Sequence, residues 1–137
     1  MSADIAVFSS RTAAPRTPAE QGRHLHPAAL PRWRELLGNQ WQERLERITE
    51  LSLSYHSAEE DAADTRNSLS ARHAARQQAA QIRRRTVQQR QVLAEIEAAL
   101  ARLATGRFGW CEQCSGPIDT ARLTTQSHTR YCAVCDS

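Results

Sequence analysis

The sequence predicts an all-α protein: a long antiparallel coiled-coil hairpin that carries a small four-cysteine knob at its C-terminal end. Three observations lead there. Apolar residues recur at three- and four-residue steps over two long stretches. A short acidic stretch separates the two. The four cysteines of the chain all lie beyond the second stretch, in two C-x2-C pairs. A chain of 137 residues, 40% hydrophobic and with few aromatics, suits one elongated module rather than a large globular core. The mean hydropathy of −0.61 agrees.

Residues 1–30, rich in Pro, Ser, Thr and Ala, show no periodicity and read as a flexible N-terminal arm. They lack the basic start and apolar run of an export signal, and no run reaches the 18 apolar residues of a membrane helix. The expectation is a soluble cytoplasmic protein with no membrane partner. The hairpin is expected over residues 31–105. Its first helix starts at Pro31, a good first-turn residue. Its apolar seam runs through Leu30, Trp33, Leu37, Trp41, Leu45, Ile48 and then Leu51 or Ser52. Gly38 weakens this helix without ending it. The periodicity fades over residues 52–57, and an acidic tip is expected near residues 57–66.

The second helix is expected to run to about Ala104. Its later half carries a heptad track, Ile82, Thr86, Gln89, Leu93, Ile96, Leu100 and Leu103. Its earlier half is alanine-rich at Ala71, Ala74, Ala75, Ala79 and Ala80, which permits close approach of a partner helix. Gly106 and Gly109 stop it at the C-cap and turn the chain into the knob, residues 106–137. At 1.5 Å per residue, 30 to 35 paired residues project about 45–50 Å. Pairing between two chains is the alternative; the short polar connection favours an intramolecular hairpin and a monomer.

Charge is unevenly spread. Residues 59–64 hold four acids and no base, whereas Thr65 to Ala94 hold seven arginines and no acid. Glu35, Glu43, Glu46 and Glu50 on the first helix are expected to neutralise part of that basic face. Arg83, Arg84, Arg85 and Arg90 are the candidate contact residues of the basic shaft. A net charge of +3 is too small to indicate a nucleic-acid ligand. All 18 basic residues are arginine.

Cys111, Cys114, Cys132 and Cys135 follow the spacing C-x2-C-x17-C-x2-C. Each C-x2-C puts two thiolates on one tight turn, and two such turns close a tetrahedral sulfur shell around one Zn2+. A closed shell leaves no position for water or substrate, so the expected role is structural. Two disulfides, or free buried thiols, are the alternatives, and a reducing compartment argues against the disulfides. His128, in the loop of the knob, is a weaker ligand candidate than any of the four cysteines.

The stretch Arg107-Phe-Gly-Trp-Cys-Glu-Gln-Cys-Ser-Gly-Pro-Ile-Asp-Thr-Ala-Arg-Leu123, followed by Tyr131-Cys-Ala-Val-Cys135, resembles the DksA/TraR family of zinc-finger transcription regulators. The carriers of the likeness are Gly106, Phe108-Gly109, both C-x2-C pairs, Ile118 and Arg122-Leu123. The likeness covers about residues 31–137. It implies a bacterial protein that binds RNA polymerase directly, enters its secondary channel with the coiled coil and modulates initiation without sequence-specific DNA binding. It further implies that Asp61 and Asp64, which match the D-x-x-D part of a D-x-x-D-x-A tip motif, act near the polymerase active site. Arg66 stands where that motif has Ala, and the tip lies about a heptad farther from the knob than in the best-known members. The positions that hold ppGpp in the family fall at Glu95, Gln126 and Asp136, so three cations are absent. The resemblance then implies weakened coupling to ppGpp.

Two other classes of function fit the sequence less well. A GATA-type DNA reader shares the cysteine spacing but needs a helix and a basic tail after the second pair, where this sequence has Asp136 and Ser137. An enzyme needs a nucleophile–base pair, a phosphate-cradling loop or an open metal site, and none is visible. The expectation is therefore not an enzyme. Within transcription, the alternative is a Gre-like cleavage factor whose tip acids hold a second magnesium.

Overall fold

The structure, a computed structural model, describes residues 25–136. Two long helices dominate: α1, Leu30–Ala63, and α2, Leu69–Ala104. A short third helix, α3, Thr120–Thr125, lies in the cysteine knob. Helices α1 and α2 pack against each other as an antiparallel hairpin about 50 Å long, the length that 34 residues span at 1.5 Å each. Among the described residues there is no β-strand, only an isolated bridge between Trp110 and Pro117. No described helix is long and apolar enough to cross a membrane.

Most of the arm expected over residues 1–30 lies outside the described residues. Its last six positions differ from expectation. Leu25 is buried in the core at the base of the hairpin, and Pro27–Ala29 form a 3-10 turn. The side chain of His26 caps that turn, its Nδ1 accepting the Ala28 N–H at 3.1 Å. The cap and the burial of one leucine anchor the chain ahead of α1, and neither has a periodic signature in so short a segment.

Helix α1 also runs straight through residues 52–57, where the periodicity fades. Its seam continues as Leu51, Tyr55, Ala58 and Ala62, all half-buried or buried. The steps are still four, three and four residues. What fades is hydropathy, because a tyrosine and two alanines replace Leu, Ile and Trp. Leu51, Tyr55 and Ala58 pack with Ala79 and Ile82 of α2 at the distal end, where small side chains let the helices approach closely. The heptad track of α2 is interior throughout, from Ile82 to Leu103. Ala71, Ala74 and Ala80 face solvent, so only Ala75 and Ala79 of the alanine set pack inward.

The connection is the five-residue turn Asp64–Ser68, shorter than the 57–66 tip expected. Its backbone groups are satisfied locally. Asp64 N–H donates to the Glu60 carbonyl at 3.0 Å, and Asn67 N–H donates to the Asp64 carbonyl at 3.1 Å. The Asn67 side chain reaches the Asp61 carbonyl, and Arg72 Nε reaches that of Ala62. Two of the orphan carbonyls of α1 therefore end on side chains. Ser68 caps α2, its Oγ accepting the Ala71 N–H.

At the other end of α2, Gly106 (φ +74°) sits in the left-handed region. Arg107 N–H donates to the Arg102 carbonyl at 2.8 Å, and Gly106 N–H points to that of Leu103. This is the Schellman arrangement. The main core then spans both units: Leu37, Ile96, Ala99 and Leu103 from the hairpin join Phe108, Cys111, Ile118 and Leu123 from the knob. Ile118 and Leu123 of the knob are thus the near end of the hairpin core.

Gly38 lies in the interior of α1, and a Cβ built there meets nothing within 4 Å. Gly38→Ala is therefore expected to raise stability by about 0.5–1 kcal/mol, seen as a higher denaturation midpoint with an unchanged slope. A lower midpoint would show that the glycine is needed for close packing.

Candidate functional site at the cysteine knob and the hairpin tip

The four cysteines come together from two turns. Cys111 N–H donates to the Gly116 carbonyl at 2.8 Å and Ser115 N–H to the Cys111 carbonyl at 3.0 Å, closing the first knuckle. A Cβ at Gly116 would meet Cys114 Sγ at 3.3 Å, so a larger residue there would press on that thiol. Gly109 (φ +87°) turns the chain into the knuckle, and its carbonyl accepts the Ile118 N–H. The second knuckle closes through Asp136 N–H and the Cys132 carbonyl. Arg122 steadies it from α3, with Nε donating to the Tyr131 carbonyl at 3.1 Å and an ion pair to Asp136.

All four sulfurs lie within 4.8 Å of one another, with Cys114 and Cys132 at 3.8 Å. The edge of a tetrahedron of sulfurs around an ion at about 2.3 Å is itself about 3.8 Å. A disulfide needs sulfurs at about 2.05 Å. The ionisation of the thiols points the same way. Burial pushes Cys111 up, but the N–H groups of Cys114, Cys132 and Gln113 outweigh it and hold the thiol at about 6. Cys135, beside Cys132, is pushed up to about 12. One thiolate forms readily while another is suppressed, as crowded like charges require. A cation among them removes the conflict. Among the described residues no other group of three or more His, Cys, Asp or Glu is placed to hold an ion. His128 is not part of the cluster.

The knob is locked to the hairpin by stacking and charge. Phe108 packs on Trp33 with ring centroids 5.5 Å apart. Trp110 is buried beside it, its backbone bridging to Pro117. Arg102, in the last turn of α2 and only 8% exposed, sends Nη2 to the carbonyls of His128 and Thr129. Its Nη1 faces Glu112 at 3.7 Å. Arg130 bridges Glu95 on α2 at 2.6 Å and Glu112 at 3.4 Å. Arg102, Glu112 and Arg130 escape sequence reasoning, because nothing in the spacing of a charged residue reveals a partner 10 to 35 positions away.

A cleft of about 460 Å³ opens at this junction, lined by Glu95, Gln126, His128, Thr129, Arg130, Tyr131 and Asp136. The three positions where cations are absent by family likeness thus share one cleft. Its acids are not free. Arg130 holds the Glu95 carboxyl below the usual range, and Asp136 is paired with Arg122. Burial pulls the His128 imidazole down, toward its neutral form.

At the opposite end, Asp61 sits in the last turn of α1 and Asp64 caps it. Their side chains have different partners. The Asp64 carboxylate accepts from Arg66 three times, from its N–H at 2.9 Å, Nε at 3.0 Å and Nη2 at 2.9 Å. The guanidinium holds Asp64 below the usual carboxylate range. Asp61 is exposed, and only its backbone carbonyl is engaged, by Asn67. Four acids crowd the last turn of α1 and its cap with no base in that turn, against the preference of a helix C-terminus for cations.

Along the shaft, Arg83 donates to the Tyr55 hydroxyl at 2.5 Å and lies over its ring. Arg84, Arg85 and Arg90 are exposed. Among the described residues none of Glu35, Glu43, Glu46 and Glu50 forms an ion pair with an arginine of α2, so the expected neutralisation is not made by direct pairing.

No family model matches the sequence. A stretch of 43 residues is 44% identical to an uncharacterized protein of Aquifex aeolicus, covering 31% of this chain and 30% of that one. The match thus spans about a third of that relative. Among solved structures, the chain is similar to transcription factor DksA2 from Pseudomonas aeruginosa, with a TM-score of 0.72 and 25% identity. That likeness covers 80% of this chain and 81% of the other.

Proposed function

We propose that this chain, whose helical hairpin and C-terminal four-cysteine cluster are of the DksA/TraR type, regulates transcription by binding bacterial RNA polymerase through its secondary channel. The observation that carries the reading is the pairing of two features joined by one core: a 50 Å shaft with an acid-crowded tip, and a cysteine-clustered base. The likeness to a transcription factor over four-fifths of the chain supports it. Cys111, Cys114, Cys132 and Cys135 would hold one structural Zn2+, the ion whose preferred sulfur shell fits the 3.8 Å separation. The ion supplies folding energy and no reaction step. Asp61 and Asp64 are the proposed tip residues, reaching toward the active-site magnesium from inside the channel. The action is directed at the polymerase, without sequence-specific reading of DNA.

Co-purification with polymerase, followed by competition with a known secondary-channel binder, tests this directly. The expected result is mutually exclusive binding; simultaneous binding would rule the channel out. Transcript-cleavage assays on backtracked polymerase distinguish this reading from a Gre-like factor, which would stimulate cleavage.

A ppGpp response is expected to be weak or absent. The one arginine in the junction cleft, Arg130, is committed to Glu95 and Glu112, so a polyphosphate finds no free guanidinium there. In a polymerase titration, affinity should change less than about twofold on adding ppGpp, a small fraction of one charge-assisted contact. A tenfold tightening would overturn the expectation.

A further inference from the structure

We infer that Tyr55 is a positioning residue for the tip: its hydroxyl, held by Arg83 across the seam, sets the roll of the distal helices and so the direction of Asp61. The inference rests on the proposed polymerase partnership and deepens it. Apolar contacts in the distal half are few. Among the described residues its buried set is Ala58, Ala79 and Ile82, with Leu51 and Tyr55 packed against it, whereas nine residues make up the buried core at the base. The hydrophobic effect has no direction, so alanine against alanine tolerates a small roll of either helix about its own axis. The five-residue turn limits sliding of one helix past the other, but not that roll.

Direction across the seam comes from hydrogen bonds, which form a short ladder. Trp41 Nε1 donates to Glu97 Oε1 at 3.0 Å, and Arg44 Nη1 to Gln89 Oε1 at 2.8 Å. Arg83 Nη2 donates to the Tyr55 hydroxyl at 2.5 Å, and Arg72 Nε to the Ala62 carbonyl at 3.1 Å. The Trp41–Glu97 and Tyr55–Arg83 rungs keep one register. They lie fourteen positions apart on α1 (41 to 55) and fourteen on α2 (97 to 83), about 21 Å along the shaft. Beyond Arg44, Tyr55–Arg83 is the one rung among the described residues that joins two side chains. Its hydroxyl is used twice, since it also donates to Glu59 Oε1 at 2.9 Å, one turn nearer the tip. Glu59, Tyr55 and Arg83 thus link an acid of α1 to an arginine of α2 through one neutral group. Asp61 lies six positions on from Tyr55, about one and two-thirds turns, so its direction follows the roll that Tyr55 fixes. A polar contact in a helix seam selects one arrangement among several, even where it adds little stability.

The test compares the full chain with Tyr55→Phe, Arg83→Gln and the double variant. Phenylalanine removes the hydroxyl and keeps the ring and its packing, and glutamine keeps helix propensity. Amide hydrogen exchange over residues 58–63 and 69–75 should speed up about fivefold in each single variant, the factor that one net hydrogen bond commands. The double variant should go no further, because the two side chains share one contact. On purified polymerase, the maximal effect on transcription should fall at least about twofold, with the half-saturating concentration within about twofold of wild type. Faster exchange with an undiminished maximal effect would reduce Tyr55 to a structural residue and end the inference. A loss of affinity with an unchanged maximal effect would make the pair a direct contact instead, and additive losses would make the two residues independent; either outcome refutes it. If wild type neither binds nor acts on polymerase, the partnership itself fails and takes the positioning role with it.

Discussion

Stripping the metal from the knob, by chelation or by Cys111→Ser, is expected to unfold residues 106–136 and to loosen the base of the hairpin while leaving most of the helical signal. Structural zinc sites of this kind contribute about 10–16 kcal/mol of apparent binding energy at neutral pH, and the knob has little else of its own. Its helix α3 is six residues long, and its buried apolar side chains are few. The loss should not stop at the knob. Cys111 is 2% exposed within the same core as Leu37, Ile96 and Leu103, and Ile118 and Leu123 cover that core. Far-ultraviolet circular dichroism should retain most of its helical amplitude. The melting temperature should drop, and protease cleavage should concentrate after residue 105. An intact knob in the chelated protein would show that the hairpin core holds it unaided. Metal release should also follow pH. Binding requires all four thiols to lose their protons, and Cys135 without an ion sits at about 12. The ion supplies that ionisation, so its affinity falls as pH falls.

The double substitution Asp61→Asn/Asp64→Asn is expected to abolish the effect on transcription while leaving polymerase binding within about twofold, because exposed tip carboxylates contribute little docking energy. Loss of binding would instead make the tip an anchor. The two aspartates should not be equivalent. Arg66 takes up both oxygens of Asp64, whereas the carboxylate of Asp61 has no partner among the described residues. Arg66→Ala removes that competitor and is expected to strengthen the effect; an unchanged effect would show that the pair opens freely in the partner. The pair itself titrates with a definite sign. The folded-state pKa of Asp64 lies below its ordinary value, so what the pair contributes is present at neutral pH and is lost as pH falls through the acid range. Between pH 6 and 8 the pair itself should not change.

Much of this was legible in the residues. The seam from Leu30 to Leu51 and the track from Ile82 to Leu103 mark two helices because large apolar side chains at three- and four-residue steps have few other arrangements. Gly106 announced the helix end, and two C-x2-C pairs announced the cluster, because each depends on residues near in sequence. The distal half of α1 was not legible. Tyr55 and Ala58 are weakly apolar, and their packing depends on finding Ala79 and Ile82 across the hairpin. Likewise, the family motif names Asp61 and Asp64 together, but only the folded turn gives Asp64 an arginine.

Local chemistry, then, determined the helices, their ends and the four thiols, since spacing along the chain is enough to define each of them. The tertiary structure decided what distant groups do to one another. It joined the knob and the hairpin into a single core, and tied the junction with Arg102, Glu112, Arg130 and Glu95. It left Arg76, Arg84, Arg85 and Arg90 of α2 exposed and without a partner among the described residues. Charges act through space, so their partners emerge only when the chain has closed.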